Sequence, residues 1–84
     1  MRLDKFLKIT RLIKRRTLAK EIAGQGRIAI NGNTAKASSK VNVGDELTIQ
    51  YGQKNVTVKV SRLKEHVKKD EADTLYRIIS EEKI

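Results

Sequence analysis

The chain contains no cysteine and no proline, and its aromatic side chains are limited to Phe6, Tyr51 and Tyr76. Without cysteine there are neither disulfides nor thiolate metal sites. Without proline, glycine and asparagine must mark the turns. No apolar run approaches the ~20 residues needed to span a bilayer. The N-terminus has charges scattered through it and no small-residue cleavage site, which argues against a secretory signal. The 84 residues suffice for one domain, and a core of this size supplies only ~3–5 kcal/mol of net stability. That leaves little room for a deep catalytic cleft. The expectation is a soluble, cytoplasmic protein with no membrane partner.

What is abundant is positive charge. Nineteen Lys and Arg stand against ten Asp and Glu, a net of +9. Residues 1–40 hold eleven basic groups and two acidic ones, Asp4 and Glu21, and so carry the whole +9. Residues 41–84 hold eight of each sign and are neutral. A field this one-sided attracts polyanions, and solubility alone does not require it.

The hydrophobic pattern changes period along the chain. Leu3, Phe6 and Leu7 recur at helical spacing, with Asp4 near the positive end of the helix dipole. A second helix is expected from Lys14 or Arg15 to Ala23, with Leu18 and Ile22 as its apolar pair, Ala19 and Ala23 allowing close approach, and Gly24 or Gly26 ending it. From Arg27 the period is two. Ile28 and Ile30 form a strand, Asn31-Gly32-Asn33 a tight turn, and Thr34 to Ser38 the return strand. Leu47 to Tyr51 and Asn55 to Val60 give two more strands. In the tail, Ala72, Leu75, Tyr76 and Ile79 favour a short helix, although Tyr76 and Ile78 also suit a strand. The expected fold class is α+β: two short N-terminal helices packed on a small antiparallel sheet, with a short C-terminal helix or strand. The expected boundaries are a binding domain over 1–62 and a charged C-terminal extension over 63–84.

The parts of an enzyme are missing. His66 is the single histidine, set among lysines and acids, whereas a triad or metal site needs convergent partners. Asp70, Glu71 and Asp73 read as a solvated charge run without an apolar pocket to perturb them. The glycines lack the spacing of phosphate-cradling loops. The parts of a polyanion-binding surface are present. Arg15, Arg16 and Lys20 share one side of the second helix, and Arg11 and Lys14 lie just ahead of them. Arginine suits this role because its planar fork holds two phosphate oxygens at once. The basic half carries no tyrosine, so recognition of folded RNA by backbone and shape is favoured over stacking of single-stranded bases.

Four spaced blocks then carry a resemblance: Arg2-Leu3-Asp4-Lys5-Phe6-Leu7, Arg15-Arg16-Thr17-Leu18-Ala19, Gly26-Arg27-Ile28-Ala29-Ile30-Asn31-Gly32, and Lys36-Ala37-Ser38 with Val43-Gly44-Asp45-Glu46-Leu47. Together they resemble the RNA-binding module first named from small-subunit ribosomal protein S-four, over roughly residues 1–50. Larger relatives join it to catalytic domains, and at this length no such activity is expected here. The chain also resembles the freestanding forms of the module: the small ribosome-binding heat-shock proteins and, nearly end to end, the RqcP family of Gram-positive bacteria. The resemblance implies a ribosome-associated quality-control role on an obstructed large subunit. The partners it implies are large-subunit rRNA, peptidyl-tRNA and RqcH, the last driving alanine tailing of the stalled chain. The RNA-contacting candidates are Arg2, Lys5, Lys8, Arg11, Lys14, Arg15, Arg16, Lys20, Asn31, Lys36 and Ser38. Asp4 is expected to orient an arginine or cap the first helix. No catalytic residue, metal ligand, cofactor or small-molecule substrate is expected. The rival readings are a factor in ribosome assembly that binds structured RNA, a protein–protein adaptor with a basic face, and a DNA-binding helical pair.

Overall fold

The structure, a computed structural model, describes residues 1–83. Helix α1 spans Leu3–Ile9 and α2 spans Arg16–Gly24. Strands follow at Ile28–Ile30 (β1), Asn33–Thr34 (β2), Glu46–Tyr51 (β3), Lys54–Val60 (β4) and Tyr76–Lys83 (β5). They form one antiparallel sheet in the order β2-β1-β3-β4-β5. The α+β expectation for two helices and a small antiparallel sheet is met.

A seven-residue helix is unstable alone, so what holds α1 must come from outside it. Its leading amides are all satisfied. Leu3 N–H donates to Ser39 O at 2.8 Å and Asp4 N–H to Ala37 O at 3.1 Å. Lys5 N–H donates to the Asp4 carboxylate at 2.8 Å, and Phe6 N–H to Arg2 O at 3.0 Å. At the other end the Thr10 hydroxyl donates to Phe6 O at 2.7 Å, and Arg11 turns the chain at φ +62°. Helix α2 ends through Gly26, whose φ of +74° only glycine adopts freely.

These caps explain where the return strand stops. Asn31 and Gly32, both with positive φ, make the tight turn, and β2 pairs with β1 only at Asn33 and Thr34. The expected strand over Thr34 to Ser38 is therefore cut short. The chain leaves the ladder because the carbonyls of Ala37 and Ser39 are spent on α1.

The core lies between the helices and one face of the sheet. Leu3, Phe6, Leu7, Ala19, Ile22 and Ala23 meet Ile28, Leu47, Ile49, Val56, Val58 and Val60. Leu18 is not among them. It is 44% exposed, so the expected apolar pair on α2 is replaced by Ala19, Ile22 and Ala23.

The tail departs most from expectation. The favoured helix is a single 3-10 turn at Ala72–Leu75, and Tyr76–Lys83 is a strand on the outer edge of β4. The non-local term decides. Without β5, the backbone of β4 would present an open edge beside buried Val56 and Val58, a costlier arrangement than losing a two-turn helix. Leu75 is fully buried, so the segment after residue 62 contributes to the core. Among the described residues no helix is long and apolar enough to cross a membrane.

Candidate nucleic-acid interface

The centre of the basic half is a fully buried carboxylate. Asp4, in the first turn of α1, has no exposed surface, yet two arginines from different elements converge on it. Arg2, immediately before α1, donates Nε to Oδ1 at 3.2 Å and Nη2 to Oδ2 at 3.3 Å. Arg16, the first residue of α2, places Nε 3.2 Å from Oδ2 and donates Nη2 to Oδ1 at 3.3 Å. With the Lys5 amide, the carboxylate accepts five contacts.

Burial pushes the Asp4 carboxyl up. The hydrogen bonds from Arg16 and then Arg2, together with their charges, outweigh that and hold it below its ordinary value. The arginine side chains stay 51% and 42% exposed. Arg2 donates two N–H groups to Asp4 and Arg16 one, with Arg16 Nε within ion-pair distance, so each guanidinium keeps donors that Asp4 does not use. The site is thus a pair of cations fixed in orientation by a buried anion, with a net charge of +1 at the surface. Asp4 holds two arginines at once rather than one, but it is not the N-cap of α1: that position is Arg2, without a side-chain cap hydrogen bond, and the one backbone amide that Asp4 accepts from is that of the following residue, Lys5.

Next to this pair lies an open groove of about 710 Å³ between the end of α2 and residues 34–38. Arg2, Lys20 and Lys36 supply its charge, and Ser38 lines it. Gly24, Gly26, Ala23, Ala35 and Ala37 keep its walls low, which lets a sugar–phosphate backbone approach closely. The first turn of α2 contains no acid to offset the positive end of its dipole, which adds to the local field.

Not every candidate joins this surface. Arg2, Arg16, Lys20, Lys36 and Ser38 are brought together. Lys8, Lys14 and Arg15 are exposed but do not line the groove. Lys5 is ion-paired with Glu65, which partly cancels its charge. Asn31 is occupied structurally: its Nδ2 donates to Asp45 at 3.1 Å, and its Oδ1 accepts from the Glu46 amide at 2.9 Å. Arg11 lies in a second groove with Leu12, Lys54 and Tyr76. Sequence reasoning missed Glu65, Lys54 and Tyr76 as neighbours of basic candidates. They sit 43 to 65 positions away in the chain, and no local pattern signals such a contact. Among the described residues no group of three or more His, Asp or Glu is placed to hold a metal ion.

Comparisons with known proteins point the same way as the geometry. Residues 1–47 match the S4 domain. The chain is 68% identical over 84 residues to the RQC P-site tRNA stabilizing factor of Bacillus subtilis, covering 100% of this chain and 98% of that protein. It is 59% identical over 83 residues to the protein of the same name from Listeria monocytogenes, covering 99% and 90%. The trimeric structure of Vibrio cholerae Heat Shock Protein 15 superposes with a TM-score of 0.86 at 32% identity, over 95% of this chain and 82% of that one. With the motif, the fold and the full-length relatives in agreement, the chain belongs to the S4 domain family and, within it, to the RQC P-site tRNA stabilizing factors.

Proposed function

We propose that this protein is a non-enzymatic RNA clamp of ribosome-associated quality control. It binds a large ribosomal subunit obstructed by a nascent chain and holds the P-site peptidyl-tRNA there. The carrying observation is the Arg2–Asp4–Arg16 cluster, in which a buried carboxylate aims two half-exposed guanidiniums outward from the basic half of the chain. An arginine oriented in advance loses less side-chain freedom on contact with phosphate, so more of the interaction appears as affinity. The kinship with RQC P-site tRNA stabilizing factors along the full chain supports the tRNA and the quality-control setting.

No covalent step is required. The protein neutralises phosphates of rRNA and tRNA together in the cytoplasm, and RqcH drives alanine addition on the same particle. Sedimentation of the tagged protein through a gradient of cell lysate tests this. The expected result is co-migration with large subunits that carry peptidyl-tRNA, lost in Arg16→Ala. Migration at the top of the gradient, free of RNA, would instead support an adaptor with a basic face.

A further inference from the structure

Tyr51 and Tyr76 are far from Arg11 in sequence, but the fold brings both into one groove with it. A groove of about 390 Å³ opens between the α1–α2 linker and the β4–β5 end of the sheet. Leu12, Tyr76 and Ile78 give it an apolar floor, and Arg11 and Lys54 supply two cations. Its size is at the lower end of small-ligand pockets, ~300–1,000 Å³, and so suits a single unit rather than a helix.

The parts are held in place. Tyr51 donates its hydroxyl to Leu12 O at 2.6 Å, which ties the linker to β3. Lys54 Nζ stands 6.0 Å from the Tyr51 ring centre. Arg11 has a left-handed backbone at φ +62°, an arrangement that costs a non-glycine residue free energy and is fixed here by its amide donating to Lys8 O at 3.0 Å. Ile78, on the floor, is 51% exposed, an apolar surface left open between two cations.

We propose that this groove holds one unpaired nucleotide of the bound RNA, its base against Tyr76 and Ile78 and its phosphate beside Arg11 and Lys54. The inference rests on the RNA-clamp reading and extends it from folded RNA to an extruded base. Arg11 lies in the linker between Lys8 and Lys14, so one of the groove's two cations belongs to the basic half of the chain. A flat apolar floor flanked by cations matches the stacking platforms of proteins that take up single bases. Glu81 also lines the groove and repels phosphate. Its carboxylate only accepts hydrogen bonds, so it fits the exocyclic amino group of adenine, cytosine or guanine, which uracil lacks.

The test compares a blunt RNA hairpin with the same hairpin carrying four unpaired adenosines. The intact protein is expected to bind the extended RNA about tenfold more tightly, a typical gain for one stacked base. Tyr76→Leu, which keeps apolar bulk, and Ile78→Ser, at an exposed position, should each erase that gain. Neither alters charge, so binding of the blunt hairpin should be unchanged. In parallel, tetra-adenylate alone should shift the Ile78 methyl resonances. Loss of all hairpin binding would refute the clamp, whereas tight blunt binding with no gain from the extension and no methyl shift would refute the nucleotide site. If Ile78 instead becomes protected as the protein self-associates at high concentration, the groove is a protein interface.

Discussion

At the scale of single residues, Asp4 governs the site. Removing one member of a buried ion pair costs ~3–5 kcal/mol when the other stays buried. Here Arg2 and Arg16 are about half exposed and rehydrate once freed, so Asp4→Ala is expected to destabilise the fold by only about 1–3 kcal/mol, mainly through the lost contact to the Lys5 amide and the disordering of both arginines. Chemical denaturation checks this. Because the folded carboxyl titrates below its unfolded value, its contribution is full above the ordinary carboxylate range and is lost as pH falls through the lower folded value. Asp4→Asn should flatten that acid limb. Arg16→Ala is expected to weaken RNA binding by about 1–3 kcal/mol while costing less stability than Asp4→Ala; unchanged affinity would remove Arg16 from the site. The pairing of Asp4 with an arginine was legible because Arg2, Asp4 and Arg16 fall within motif blocks near the start of the helices. The occupation of Asn31 by Asp45 and of Lys5 by Glu65 was not, since each pairing is made by the fold.

At the scale of elements, the tail carries the lesson. Both periods were visible in residues 72–79, and local pattern could not choose between them. The unfilled edge of β4 chose, and an edge exists only once β3 and β4 have paired. Helix α2 shows a similar limit: spacing marked Leu18 and Ile22 as the apolar pair, with Ala19 and Ala23 allowing close approach, and the structure buries Ala19, Ile22 and Ala23 but leaves Leu18 exposed. The tail contributes Leu75 to the core. Leu75→Ala, at a fully buried position, is expected to cost about 2–5 kcal/mol in denaturant unfolding, whereas an extension outside the core would leave the midpoint unmoved. Tyr51, whose hydroxyl ties the α1–α2 linker to the sheet, is pushed up to about 12 first by burial and then by the charge of Tyr76. Its contribution is therefore present below its ordinary value of 10.0 and lost as pH rises toward about 12. Alkaline unfolding of Tyr51→Phe should lack that step.

At the scale of the whole molecule, composition was the most informative feature. The entire net charge falls in residues 1–40, and the fold gathers much of it around one buried carboxylate and one open groove. Overall architecture could be anticipated from the change of period at Arg27, because hydrophobic spacing acts locally. The second groove could not, as it joins a helix linker to the last strand. A clamp of this kind should depend on salt more than on sequence. If five or more basic side chains neutralise phosphates, log affinity falls with log salt at a slope of about −4 or steeper. The direct test is titration of the purified protein onto large ribosomal subunits bearing P-site tRNA across a series of salt concentrations. A slope of about −4 or steeper, made shallower by roughly one in Arg16→Ala, is the predicted result. A slope near about −1, with no change in the variant, would contradict the clamp.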